Sequence, residues 1–288
     1  MRTSYSALET YKQCPQKFKF AVIDKIKAPK SVEAVFGSSV HDALRFMFSH
    51  DPLFPTLEEV MLKFEENWRA SGDKIFPKLA PELLNVYEES GKNMLKSFYK
   101  KNPPWNFSVV DTESHFEVLL PDEFTGKTHV LAGIIDRIDK TVEGEYEIID
   151  YKTSRRLPSQ SAADENLQMS IYHMAILRRW PNADPSKVIL SLYFLKHNEK
   201  ISSKRNMVAT EATRETVLKT IRDIEIKTAE NKFPPITSVL CDYCPYKKIC
   251  PAWKHLYKKD DSPAPDEESL KSALKEYFEI KEKEIAGV

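Results

Sequence analysis

Apolar positions recur at helical spacing through the first hundred residues and gather into strand-like runs after that. From Thr3 to Phe20, Leu8, Tyr11 and Phe18 follow serine and threonine residues suited to capping, which predicts a helix. Val40, Leu44, Met47 and Phe48 predict a second over Phe36–Ser49, and Leu57–Trp68 and Leu79–Tyr99 extend the helical half. Pro103-Pro104 ends it, because proline cannot continue a helix. Strands are predicted over Ser108–Leu120, His129–Asp139 and Tyr146–Thr153. A helix at about Ala163–Trp180, a strand over Val188–Leu195 and a helix over Ala209–Glu230 follow. Ser262-Pro263-Ala264-Pro265 reads as a linker before a charged amphipathic helix over Glu267–Glu284. There are no internal repeats. A helical entry, a meandering sheet and a crossover helix to another strand specify an α/β or α+β fold, not a purely doubly wound sheet.

Composition narrows the function classes. A chain of 288 residues, 41% of them hydrophobic, can bury a substantial core as one large domain or two small ones. The 15 Phe, 12 Tyr and 4 Trp argue against disorder over most of it. Lys+Arg and Asp+Glu both total 43, so there is no global positive field, and an anionic partner has to be held by a local patch. The opening M-R-T-S-Y-S-A-L-E-T has no apolar leader core, and no stretch approaches the roughly 20 apolar residues of a membrane span. The expectation is a cytoplasmic chain with no membrane partner.

The segment L-A-G-I-I-D-R-I-D-K-T-V-E-G-E-Y-E-I-I-D-Y-K-T holds the densest chemistry. Glu143-Gly144 sits between two apolar strands and predicts a hairpin turn, which brings Asp136 approximately opposite Asp150. On the second strand Ile148, Asp150 and Lys152 share one face, and Ile149 and Tyr151 the other. Two carboxylates and a lysine meeting at a strand end are costly to desolvate without a ligand. A hard divalent cation, Mg²⁺ or Mn²⁺, suits such oxygen donors. The simpler alternative is an ordinary salt bridge between Asp150 and Lys152 on a solvated edge. His41 lies on the helical stripe of Leu44 and Phe48, as a core histidine would. Gln168 and Tyr172, four apart, share a helix face.

Cysteine placement adds a second theme. Cys14 stands alone, whereas Cys241, Cys244 and Cys250 form a C-x2-C-x5-C run. Three clustered cysteines and one distant one match a zinc ribbon poorly, since that needs two close pairs. They suit an iron–sulfur cluster better. Buried thiols, disulfides or a zinc-stabilised binding protein are the alternatives, and a reducing compartment argues against disulfides.

Taken in order, the motifs are S-x-S-x-L-x-x-Y-x-x-C-P-x-K-F from Ser4, G-x-x-V-H ending at His41, G-I-I-D-R-I-D, I-I-D-Y-K-T, Q-x-x-x-Y, and the C-terminal cysteine run. This order resembles the RecB-type nuclease domains of the PD-(D/E)xK superfamily, and within them the iron–sulfur branch with its AddB-like and CRISPR-associated adaptation nucleases. The resemblance implies a restriction-endonuclease-like mixed sheet flanked by helices, with an N-terminal helical region and a C-terminal iron–sulfur segment. It implies one nuclease domain over residues 1–260, with a helical insertion at about 50–104 and the segment 241–251 joined to Cys14. Residues 261–288 would be the linker and C-terminal helix.

By the same resemblance, His41, Asp136, Asp150 and the backbone carbonyl of Tyr151 ligate Mg²⁺ or Mn²⁺. Lys152 orients the attacking water, and Gln168 and Tyr172 line the cleft. Cys14, Cys241, Cys244 and Cys250 hold a [4Fe–4S] cluster. Ser154 stands where glycine is common and Ile135 where the family's name-giving proline would be, yet neither change removes a catalytic group. The implied activity is a metal-dependent DNA exonuclease preferring single-stranded ends, with a helicase, repair or CRISPR protein as partner. The alternative is a non-catalytic iron–sulfur DNA-binding or scaffold subunit, against which the intact Asp136, Asp150 and Lys152 speak. Arg155 and Arg156 are the candidates for phosphate contact, while Arg178-Arg179 and Lys247-Lys248 read as solvated charges. Gly126-Lys127-Thr128 echoes a phosphate loop, but Pro121 replaces its first glycine and the segment joins two strands, so no motor is expected.

Overall fold

A six-stranded mixed sheet organises the chain, in a computed structural model that describes residues 1–49, 53–75 and 81–257. Its strands are β1 (Arg2–Thr3), β2 (Ser108–Asp122), β3 (Lys127–Lys140), β4 (Tyr146–Lys152), β5 (Ile189–Phe194) and β6 (Glu199–Lys204). The order is β1-β3-β4-β5-β6, with β2 antiparallel to β3; β1–β3 and β4–β5 are parallel, and β3–β4 and β5–β6 antiparallel. Pairing with β2 runs along almost all of β3 and occupies one of its edges. The other edge is therefore shared. β4 pairs there with Arg137–Lys140 and β1 with Val130–Leu131, which leaves a gap at residues 132–136. The site lies at that gap.

Two apolar layers sandwich the sheet. On one face, α1 (Tyr5–Gln13), α7 (Leu167–Arg179) and α8 (Met207–Ala229) pack Leu8, Ile171 and Ile221 with Ile148 and Leu190. On the other, α3 (Val32–Met47), α4 (Leu57–Ile75) and α5 (Pro81–Lys101) pack Val40, Phe64 and Phe98 with Ile149, Tyr151 and Tyr193. The period-2 alternation of β4 produces this division, sending Ile148 to one core and Ile149 and Tyr151 to the other. The hairpin expected at Glu143-Gly144 forms, with Gly144 at φ +81°, a conformation that glycine adopts without strain.

Several elements differ from their sequence expectations. The helix expected from Thr3 to Phe20 is broken. Thr3 belongs to β1, α1 ends at Gln13, and Cys14 is extended (φ −163°, ψ 110°) before the short α2 (Pro15–Phe18) and a π-helical turn over Lys19–Ile23. Pro15 is the cause, since the residue before a proline is pushed out of the helical region. The helix expected at 163–180 is two, α6 (Gln160–Asp164) and α7. Asn166 divides them by accepting a hydrogen bond from the Met169 amide (3.0 Å) and starting a new helix. The strand β6 was not anticipated, because E-K-I-S-S-K offers no apolar run for a pattern to detect.

The chain divides into a unit over Met1–Ile236, which holds the sheet, and a second that begins at Thr237. The described part of the second unit is three short 3₁₀ turns, Val239–Tyr243, Lys247–Ile249 and Lys254–Tyr257. Lys247 pairs with Asp242 (2.6 Å) and sits 4.8 Å over the Trp253 ring. The expected linker and helix of residues 261–288 lie outside the described residues. Among the described residues, no helix is long and apolar enough to cross a membrane.

Candidate active site

Asp136 occupies the point where β3 and β4 part. The register Arg137↔Ile149 is the last antiparallel pair, and one residue further Asp136 faces Asp150. There the side chain takes over from the ladder: the Tyr151 amide donates to Asp136 Oδ2 at 2.8 Å. Since N–H and C=O of a strand residue point to the same side, the Tyr151 carbonyl also faces the gap. His41, on the third turn of α3, approaches from the opposite side, with Nδ1 3.4 Å from Asp136 Oδ1.

Asp150 is buried, and its two oxygens have different surroundings. Oδ1 accepts from Gln168 Nε2 (2.9 Å) and lies 3.3 Å from the Tyr172 hydroxyl. Oδ2 is 2.7 Å from Lys152 Nζ, an ion pair whose angle departs from that of a regular hydrogen bond. Lys152 also donates to Gln168 Oε1 at 2.8 Å. The Gln168 amide thus holds the lysine with its oxygen and Asp150 with its nitrogen, and it also donates to Tyr172 (2.8 Å). Tyr172 in turn donates to the carbonyl of Ile134 (2.8 Å), a β3 group that the strand gap leaves exposed to it. The four-residue spacing of Gln168 and Tyr172 on α7 lets one helix face reach both strands.

Electrostatically the cluster is under tension. Burial pushes the Asp150 carboxyl above the usual range, Lys152 opposes this, and Asp136 adds to it. Burial works against a charged His41, but its hydrogen bond with Asp136 and the charges of Asp136, Asp150 and Glu113 outweigh that and raise its pKa. Burial also lifts the Tyr172 hydroxyl well above its ordinary value, helped by Asp150 and Asp136, so it stays a neutral donor. A cation among these groups would relieve the repulsion between the Asp136 and Asp150 carboxylates. Oxygen-rich donors with one imidazole fit a hard divalent ion such as Mg²⁺ or Mn²⁺.

The structure thus brings together His41, Asp136, Asp150, Tyr151, Lys152, Gln168 and Tyr172. Arg155 and Arg156 follow β4 directly and are exposed; the carbonyl of Arg155 lies 2.6 Å from His197 Nε2. Two charged residues near the site escaped sequence reading. Arg137 is buried, forks onto Asp139 through Nε (2.8 Å), donates to the Tyr151 hydroxyl (3.0 Å), and lies between the rings of Phe48 (3.9 Å) and Phe107 (4.5 Å). It braces Tyr151 from the side away from Asp136. The second is Glu113, one of a set, with His41 and Asp136, whose ligating atoms all lie within 4.8 Å of one another. A glutamate in the polar stretch V-D-T-E-S-H carries no pattern that singles it out.

The cysteines are all thiols. Within the first unit Cys14 Sγ accepts from the Ile236 amide (3.4 Å), and within the second Cys241 Sγ accepts from the Ser238 amide (3.4 Å).

Fold and site together define a nuclease built on a restriction-endonuclease-like sheet. The model of the PD-(D/E)XK nuclease superfamily matches residues 2–251, and the chain belongs to that superfamily. It is accordingly a metal-dependent nuclease. Among solved structures, a presumed exonuclease from Eubacterium rectale is similar at 10% identity and a TM-score of 0.49, over 91% of this chain and 90% of that one. The protein SSO0001 is similar at 16% identity and a TM-score of 0.37, over 77% of this chain and 96% of that one. No curated protein matches the chain.

Proposed function

We propose that the chain is a DNA exonuclease that acts on single-stranded ends, uses Mg²⁺ or Mn²⁺ for catalysis and carries a structural [4Fe–4S] cluster. The observation that supports the catalytic part is the convergence of buried Asp150, ion-paired with Lys152, on Asp136, which His41 approaches to 3.4 Å. In this reading His41, Asp136, Asp150 and the Tyr151 carbonyl hold the divalent ion, which when bound activates water and polarises the phosphoryl oxygen. Lys152 offsets negative charge developing on the phosphate. Gln168 fixes Lys152 Nζ beside Asp150 by accepting from it, and Tyr172 ties the Gln168–Asp150 pair to β3. Arg155 and Arg156 extend toward the nucleic-acid backbone.

The cluster part is supported by the C-x2-C-x5-C spacing and by Cys14 as the one remaining cysteine. A cytoplasmic setting belongs to the same reading, since reducing conditions keep cysteines available as cluster ligands. A helicase, repair or CRISPR adaptation protein is the partner this reading implies, since single-stranded ends must be generated.

End-labelled single- and double-stranded oligonucleotides, together with circular single strands, test the activity. Expected is stepwise shortening of the linear single strand with Mg²⁺ or Mn²⁺ and none with EDTA. Absence of divalent-dependent cleavage sinks the catalytic reading, and equal cutting of circles sinks the requirement for ends.

A further inference from the structure

We infer that Glu113 is a further ligand of the divalent ion, closing the site on the side of His41; the inference rests on the nuclease reading above. Thr112 pairs with Arg137 and Ser114 with Ile135, which leaves Glu113 facing Asp136 across the β2–β3 ladder. Its backbone is left-handed (φ +49°), a conformation that non-glycine residues with long side chains seldom adopt. Within an otherwise extended strand this turn sets Glu113 against His41 and Asp136. Strain of this kind concentrates at functional sites.

The geometry points to one ion. Oxygen donors on Mg²⁺ sit about 2.0–2.1 Å from it, so two ligands on opposite sides are about 4.2 Å apart. Ligating atoms of Glu113, His41 and Asp136 already lie within 4.8 Å of one another, and a small inward shift closes them on a cation. Glu113 is half-buried, and burial followed by the Asp136 charge makes its ionised form costly. Asp150, opposite Asp136 on β4, adds a second buried carboxylate, its Oδ2 2.7 Å from Lys152 Nζ and without a hydrogen bond of regular geometry. Glu113 approaches Asp136 from β2 and Asp150 from β4. Asp136 is then the shared ligand, with an anionic oxygen on each side of it.

Direct Mn²⁺ binding to the full chain, read by electron paramagnetic resonance of the free ion, tests this without turnover. Glu113→Gln keeps the size and the amide oxygen but loses the charge. Glu113→Asn tolerates the left-handed backbone better than glutamate. Both variants are expected to weaken Mn²⁺ binding at least tenfold and to move the Mn²⁺ dependence of DNA cleavage to correspondingly higher concentration. Glu113→Asn is expected to do so with a metal-free melting temperature no lower than that of the parent chain. Parent-like Mn²⁺ affinity in either variant overturns the role of Glu113, and if the parent chain still cuts DNA the nuclease reading survives. A parent chain that neither binds Mn²⁺ nor cuts DNA overturns both.

Discussion

Asp150 and Lys152 are neighbours on one face of β4, yet they meet through an ion pair and not a proper hydrogen bond. The same ammonium also donates to Gln168 Oε1, so it is shared between the two side chains. Asp150→Ala removes the carboxylate and is expected to cut divalent-dependent cleavage at least about 100-fold. Lys152→Ala is expected to lose about 10²–10³-fold in rate while still binding Mn²⁺, because it touches the developing charge and not the ion. Rates on a labelled single strand, measured beside Mn²⁺ binding, separate the two; parent-like turnover in either rejects the assignment. Arg137 shows the opposite use of a buried charge. It is fully paired and lies between two rings, and its fork onto Asp139 and Tyr151 fixes the strand that carries the site.

Among the elements, α4 and α5 pack closely enough to reverse an ordinary helix preference. Glycine inside a helix usually costs about 1 kcal/mol relative to alanine. At Gly91, however, a Cβ would lie 2.1 Å from Phe64 Cζ, whose ring packs edge-on against Phe36. Gly91→Ala is therefore expected to destabilise by about 1–3 kcal/mol, as overpacking does, read by urea unfolding. A gain in stability would show that the α4–α5 contact gives way. The same pair of helices carries an ionic network. Arg69 and Lys92 converge on Glu88 (2.8 and 2.9 Å), and Lys92 also reaches Glu65 (2.8 Å). Arg69 and then Lys92 hold the Glu88 carboxyl down at about 2, against 4.5 for an ordinary glutamate. The folded value is the lower one, so the contribution is complete above about pH 4.5 and drains away as pH falls towards 2. It is on the order of 2 kcal/mol, because exposed Arg69 is screened. Melting temperatures of the parent chain and Glu88→Gln are expected to differ at pH 7 and converge near pH 2. A constant difference would contradict the linkage.

At the scale of the whole molecule, Cys14 and the run from Cys241 to Cys250 stand more than two hundred residues apart in sequence. A shared cluster would close that loop and restrict the unfolded chain, worth roughly 4–5 kcal/mol by analogy with disulfides. Cys14→Ser is expected to strip iron from anaerobically purified protein and to lower its melting temperature by about 10 °C. The β3–β4 hairpin has its own register, so the fraction that stays folded should retain some cleavage. Iron content and melting temperature both at parent values would remove Cys14 from the ligand set.

Local rules made the proximity of the proposed site residues legible, whereas their roles came from the order of the motifs, since D-x-K alone reads as a salt bridge and His41 alone as a core histidine. Alternation on β4 puts Asp150 and Lys152 on one face, a Glu-Gly turn sets the register that brings Asp136 opposite, and a four-residue step on α7 pairs Gln168 with Tyr172. Helix existence was legible from periodicity, although Pro15 and Asn166 cut two helices shorter than the pattern implied. What tertiary structure alone decided is how the strands divide the edges of β3. β2 takes one edge, β1 and β4 share the other, and the gap between those two makes room for the Asp136 carboxylate and the Tyr172 hydroxyl. The positions of Glu113 and Arg137 follow from that division. Both are charges whose surroundings come from strands and rings distant in sequence, and no local period encodes a partner across a sheet.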